Sequence, residues 1–264
     1  MSAASFRQMH HAPETLVLPN AWDAGSARLI ESLGAKAIAT TSAGVAWAHG
    51  YPDGHFLPSH LLAATVSEIV RVVAVPVSTD IEGGYSDDLD DVERAVSRVI
   101  DAGAVGINIE DGTGTVDLMC GKIERARRAA DRAGVKLFVN ARTDVYLHSL
   151  APEGGRVEVT LARASRYRSA GADGFFVPAL VKAEEIRAIV AGSGLPVNVL
   201  VWPGLPDLAE LQRLGVKRLS TGSGIARAMI ENAAALTTSF LSTGRLEPAA
   251  AKVLTYAQIN ALMS

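Results

Sequence analysis

One pattern constrains this chain more than any other. Short apolar runs alternate with stretches of helical spacing eight times in succession, and no linker interrupts them. The first four runs are Leu16–Leu18, Lys36–Thr40, Pro76–Asp80 and Val105–Ile109. The second four are Lys136–Asn140, Gly174–Val177, Pro196–Leu200 and Lys217–Thr221. Between them, residues such as Val92, Ala95, Val96, Val99 and Ile100 recur at helical intervals. Strands alternating with helices read as βαβ units, because parallel neighbours need a crossover connection. Gly34, Gly103, Gly134, Gly171 and Gly215 each stand between a helical stretch and the next strand. A left-handed C-cap is favoured there, and glycine adopts it without steric cost. Eight units predict a single (β/α)8 TIM-type barrel over residues 1–264, with 246–264 as an extra C-terminal helical extension. A doubly wound sheet usually has fewer strands.

Composition narrows the function. At 264 residues and 48% hydrophobic, the chain can bury a sizeable core and is not disordered. Its 25 Lys+Arg against 28 Asp+Glu give a net charge of −3, which excludes the basic face that nucleic acid requires. The single cysteine, Cys120, forms no internal disulfide and suits a reducing compartment. No apolar run approaches the roughly 18 residues of a membrane span, and Met1–Pro13 lacks the apolar stretch of an export signal. A soluble, cytoplasmic protein is expected.

In a barrel of this kind the chemistry sits at the carboxyl ends of the strands, and here those ends are polar. They read Asn20-Ala21-Trp22-Asp23, Thr40-Thr41-Ser42, Asp80-Ile81-Glu82, Asn108-Ile109-Glu110-Asp111 and Asn140-Ala141-Arg142-Thr143-Asp144. Asp80 and Glu82 are two apart and share a face, as do Asn108 and Glu110 on the neighbouring strand. Three carboxylates at one mouth repel unless they are protonated or hold a cation. Oxygen ligands without nearby His or Cys favour Mg²⁺ or Mn²⁺. The competing reading is a helix-capping aspartate and two surface acids. Arg142 either pairs with a substrate carboxylate or neutralises the acids. Thr41-Ser42-Ala43-Gly44 is either a backbone cradle for a carboxylate or an ordinary βα loop.

Together these segments, with Gly50-Tyr51-Pro52-Asp53 and Asp80-Ile81-Glu82-Gly83-Gly84-Tyr85, resemble the isocitrate lyase/phosphoenolpyruvate mutase superfamily in order along nearly the whole chain. The resemblance implies a barrel that swaps its eighth helix between subunits, giving a homodimer or homotetramer. It also implies Mg²⁺-dependent chemistry on small 2-oxo or 2-hydroxy carboxylates through an enolate. By matching position, Asp80, Glu82, Glu110 and Asp53 would form the metal site, Asp53 through water. Thr41, Ser42, Ala43, Asp80, Arg142 and Asn198 would bind substrate, with Arg142, Glu110 and Cys120 as catalytic residues.

The sequence departs from the family where the reaction is selected. Family lyases carry a basic pair followed by Cys-Gly-His on a mobile loop after the fourth strand. Here Cys120-Gly121 has no basic pair before it and no histidine after it, which leaves a buried structural thiol as the alternative. Asn198 is followed by Val199-Leu200, not the Thr-Glu pair of methylisocitrate-type lyases. His49 and His55 flank the Tyr-Pro-Asp-Gly turn, and Gly222-Ser223-Gly224 resembles a phosphate-binding helix start or a close-packing turn. The expected function is therefore C–C cleavage, by retro-aldol reaction or decarboxylation. Phosphonomutase or phosphonopyruvate hydrolase chemistry, or a 2-oxo-acid-binding barrel without the acid–base loop, are the alternatives.

Overall fold

The computed structural model of the protein describes residues 3–246 and 254–264. Nine parallel strand segments form one sheet: β1 (Leu16–Leu18), β2 (Asn20–Ala21), β3 (Ile38–Thr40), β4 (Val77–Asp80) and β5 (Gly106–Glu110). β6 (Phe138–Arg142), β7 (Gly174–Phe176), β8 (Val197–Leu200) and β9 (Arg218–Ser220) complete it. The order is β1-β9-β8-β7-β6-β5-β4-β3-β2. β1 and β2 are halves of one barrel strand, separated only by Pro19, whose missing N–H cannot join a ladder. The nine segments therefore occupy eight strand positions and close a TIM-type barrel, as the repeat predicts.

The helices alternate with the strands. They are α1 (Ala3–Met9), α2 (Ala24–Ser32), α3 (Ser42–Ala48), α4 (Ser59–Val72), α5 (Leu89–Asp101) and α6 (Val116–Ala133). There follow α7 (Arg156–Ser169), α8 (Ala183–Ser193), α9 (Leu208–Arg213), α10 (Gly224–Thr243) and α11 (Tyr256–Met263). α5 shows why these segments form helices. Asp88 caps its start by accepting from the N–H groups of Asp90 and Asp91, while Val92, Ala95, Val96, Val99 and Ile100 bury one stripe. Of the expected C-terminal extension, Tyr256–Met263 is helical; residues 247–253 lie outside the described residues. Among the described residues, no helix is long and apolar enough to cross a membrane.

Inside the barrel, side chains stack in layers. At the floor α1 inserts Phe6, and His10 follows: Phe6 meets Phe138 edge-on at 5.7 Å, and His10 stacks on Phe138 at 3.9 Å. Leu16, Leu18, Ala37 and Ala39 complete this apolar plug. Above it lies a polar belt. Asn140 Nδ2 donates to Asn108 Oδ1 and to Asn198 Oδ1, both at 3.0 Å, and the fully buried Arg218 reaches Asn108 Oδ1 at 3.1 Å. The mouth rests on this belt.

Candidate active site

Strand register assembles the mouth. Asp80 ends β4, Glu110 ends β5 and Arg142 ends β6; Glu110 and Arg142 are direct register partners. Asn108, one layer down on the Glu110 face, is opposite both Asp80 and Asn140. Arg142 forms an ion pair with Glu110 and two bonds to Asp144, Nε to Oδ1 at 2.7 Å and Nη2 to Oδ2 at 3.0 Å. Glu82 lies just past the strand at φ 51°, a left-handed backbone that side-chain-bearing residues rarely adopt. Its Oε2 accepts from the His55 N–H, and its own N–H donates to Asp80 Oδ1 at 3.2 Å.

The three carboxylates are held in an unfavourable state. Burial pushes Glu82 up to about 7, opposed by the His55 N–H and reinforced by the charges of Asp80 and Asp53. Burial drives Asp80 and Glu110 upward as well, against the pull of Arg142. Glu82 Oε1 and Tyr85 OH are both buried without a hydrogen-bond partner, although the Tyr85 hydroxyl lies close enough to favour the charged form of Glu82. Each of these features favours an added positive charge. Among the described residues, no three His, Cys, Asp or Glu side chains converge closely enough to cage a metal ion. A cation held by these acids would therefore keep several of its waters, as Mg²⁺ does.

The other residues singled out from sequence divide into two groups. Thr41 caps α3, accepting from Gly44 N–H, and the Ser42 N–H is directed at the Asp80 carboxylate. Ala43 is buried in the same first turn. The turn is tight: a Cβ on Gly44 would stand 2.7 Å from Thr41 Cγ2 and 2.9 Å from Trp22 Cβ. Asp53 is exposed on its turn, and its charge acts on Asp80 and Glu82. Two residues do not join the acids. Asn198 is buried in the belt, bonded to Asn140 and Ser220. Cys120 sits in the second turn of α6 within the apolar core, not on a loop, and burial raises its thiol. It lacks the exposure and lowered pKa that an acid–base thiol needs.

Sequence reasoning passed over several residues that matter. Asp144 is fully buried and orients Arg142. Asp111, next to Glu110, faces the other way and is consumed by Arg163, Tyr167 OH (2.6 Å) and the Asp144 N–H (2.9 Å). Beside Glu110 opens a cavity of about 350 Å³, lined by His55, Thr113, Thr115, Lys122 and His148 among others. The only sequence signal for Asp144 is its place two residues beyond Arg142, on the same face in an extended chain.

The chain matches the family described as phosphoenolpyruvate phosphomutase over residues 6–241. An uncharacterised protein of Mycobacterium tuberculosis is 39% identical across 83% of this chain and 82% of its own length. The 2,3-dimethylmalate lyase of Eubacterium barkeri is 30% identical, over 81% of this chain and 77% of its own. An oxaloacetate decarboxylase of Bradyrhizobium sp. is also 30% identical, over 75% and 69%. Among solved structures, a Burkholderia cenocepacia J2315 protein provisionally assigned as a phosphonomutase superposes with TM-score 0.85. It is 44% identical and covers 90% of this chain and 99% of its own.

Proposed function

The chain belongs to the phosphoenolpyruvate phosphomutase family of the isocitrate lyase superfamily, and from that premise we propose a carbon–carbon lyase. It breaks a C–C bond in a small 2-oxo or 2-hydroxy carboxylate by way of an enolate, with Mg²⁺ (or Mn²⁺) as cofactor. The observation that carries this reading is the group of Asp80, Glu82 and Glu110, half-buried to buried, all driven toward protonation and flanked by Arg142. The unpartnered Glu82 Oε1 and the all-oxygen donor set suit a hydrated divalent cation. Asp80, Glu82 and Glu110 would hold it, with Asp53 acting through water; bound there, Mg²⁺ supplies Lewis-acid stabilisation of enolate charge.

The chain's own residues do the rest. Asp144 fixes the guanidinium plane of Arg142, so that its third nitrogen, now on Glu110, is the donor offered to a substrate carboxylate. The first turn of α3, entered through Thr41, whose own N–H donates to Ala21 O, offers the Ser42 and Ala43 backbone beside Asp80 for the other end of the carboxylate. The relatives named for 2,3-dimethylmalate and oxaloacetate support retro-aldol cleavage or decarboxylation in this site. Calorimetry tests the reading: Mg²⁺-dependent binding of oxalate is expected, and Asp80→Ala or Glu110→Ala abolishes it. Undiminished binding in both variants would overturn the site. Dimethylmalate, methylisocitrate, oxaloacetate and phosphonopyruvate then separate C–C from C–P chemistry by the product released. The α10 helix exposes Met229, Ile230, Phe240 and Leu241, which supports a helix-swapped dimer or tetramer readable by light scattering.

A further inference from the structure

C–C cleavage leaves an electron pair on carbon, and no residue discussed so far returns a proton to it. Resting on the lyase reading above, we propose that His148 is the acid–base residue of this chain and protonates the enolate carbon.

The cavity beside Glu110 narrows the choice. Lys122 is buried and engaged, its Nζ donating to Gly83 O and Asp87 Oδ1, both at 2.8 Å. Asp111 is consumed by Arg163 and Tyr167. Thr115 caps α6. The Nε2 of His55 accepts from Gly83 N–H at 3.3 Å, and its backbone N–H is taken by Glu82. Cys120 is in the core. His55 is also 42% exposed, but its Nε2 stands 3.7 Å from Oε2 of Glu82, one of the acids assigned to the metal; His148 instead faces a carboxylate outside that group. Its side chain is 47% exposed on the cavity wall, and Nε2 stands 3.6 Å from Oδ2 of Asp144. That carboxylate is only 1% exposed and also holds Arg142, so one buried acid stands beside both the substrate-binding cation and the imidazole. Asp87, Glu110, Lys122 and His55 are the other charged or titratable groups on this cavity, apart from the consumed Asp111.

The backbone fixes where His148 leaves the loop. His148 N–H donates to Asp144 O at 2.9 Å, and Ser149 follows at φ 51°. Arg156 Nη2 holds the Ser149 hydroxyl at 3.1 Å. A side-chain-bearing residue kept in that conformation is characteristic of functional loops. Nε2 is the ring nitrogen nearer Asp144, which leaves Nδ1 as the nitrogen that exchanges protons. In decarboxylation the C–C bond pair remains as the enolate and CO₂ departs. The imidazolium gives its Nδ1 proton to the enolate carbon and regains one from water. In retro-aldol cleavage, neutral Nδ1 first takes the hydroxyl proton of the departing fragment, then returns it to the enolate carbon. Both sequences balance without a further reactant.

His148→Gln and His148→Ala in the whole protein, with Mg²⁺ and whichever substrate of the panel is turned over, test the assignment. A fall in kcat of about 10²–10⁴-fold is expected, with KM little changed. Oxalate affinity stays at the wild-type value, and added imidazole restores turnover to His148→Ala, which a merely structural role would not allow. Wild-type kcat in both variants, with oxalate binding intact, overturns the inference. Absence of oxalate binding by the unmodified protein would instead overturn the lyase reading, and this inference with it.

Discussion

The two ends of the barrel meet the same backbone problem differently. At the floor, where helices return to strands, left-handed positions are filled by glycine: Gly34, Gly103, Gly134, Gly171, Gly194 and Gly215 have φ between 64° and 109°. At the mouth Gly50, Gly54, Gly84, Gly112, Gly204 and Gly222 are left-handed too, but among the described residues His55, Glu82, Tyr85, Ser149 and Ala179 also carry side chains there, at φ between 51° and 71°. Each such residue costs roughly 1–3 kcal/mol. Four of these five border the acids or the adjoining cavity. The floor is built for stability, and the mouth spends part of that stability on placing specific side chains.

Three changes probe that contrast. The largest effect is expected from Gly103→Ala. The new Cβ would meet Val70 Cγ1 at 2.8 Å while φ stays at 98°, so overpacking and backbone strain together cost about 3 kcal/mol in a urea titration. A loss below about 1 kcal/mol would mean the floor is not conformationally strict.

The next is a pH effect at the same end. His10 is buried against Phe138 and Phe6 with Nδ1 on Phe6 O at 2.9 Å; burial first, and then Arg218, lower it from 6.5 to about 3. The folded state therefore holds the ring neutral, and protonation favours unfolding. Its stabilisation is complete above pH 6.5 and declines as pH falls from 6.5 toward 3. Between pH 7.5 and 5 the loss from this residue is about 2 kcal/mol. His10→Phe should flatten that part of the stability curve; an unchanged slope would show that other groups set it.

The smallest effect has the opposite sign. Ala179→Gly removes strain at the mouth (φ 63°) while loosening the unfolded chain, for a net gain of about 0.5 kcal/mol. A clear loss in thermal unfolding would break the comparison between the two ends.

The architecture was largely legible. All eight apolar runs contain a strand, but two strands extend past the expected end: β5 runs to Glu110 rather than Ile109, and β6 to Arg142 rather than Asn140. The apolar pattern marks where the core is, while ladder hydrogen bonds continue into the polar mouth. β2 was missed because Pro19 breaks the run that precedes it. The acid group was legible from strand alternation, since Asp80, Glu110 and Arg142 all occupy strand ends. Arg218 was not: it lies within an expected strand, yet nothing local says that a charged side chain there is fully buried.

Glu110 and Asp111 mark the boundary between the two kinds of information. The sequence alone determined that this chain is a barrel and that carboxylates crowd its strand ends, because both follow from short-range periodicity. Only the tertiary structure decided that Glu110 faces Arg142 at the mouth while Asp111 is neutralised by Arg163 and hydrogen-bonded by Tyr167, 56 residues away. It also decided that Cys120 belongs to the core and that His148 shares a carboxylate with Arg142. Periodicity fixes the side of a strand a residue occupies. The charges that set its chemistry come from distant segments, which meet only when the barrel closes.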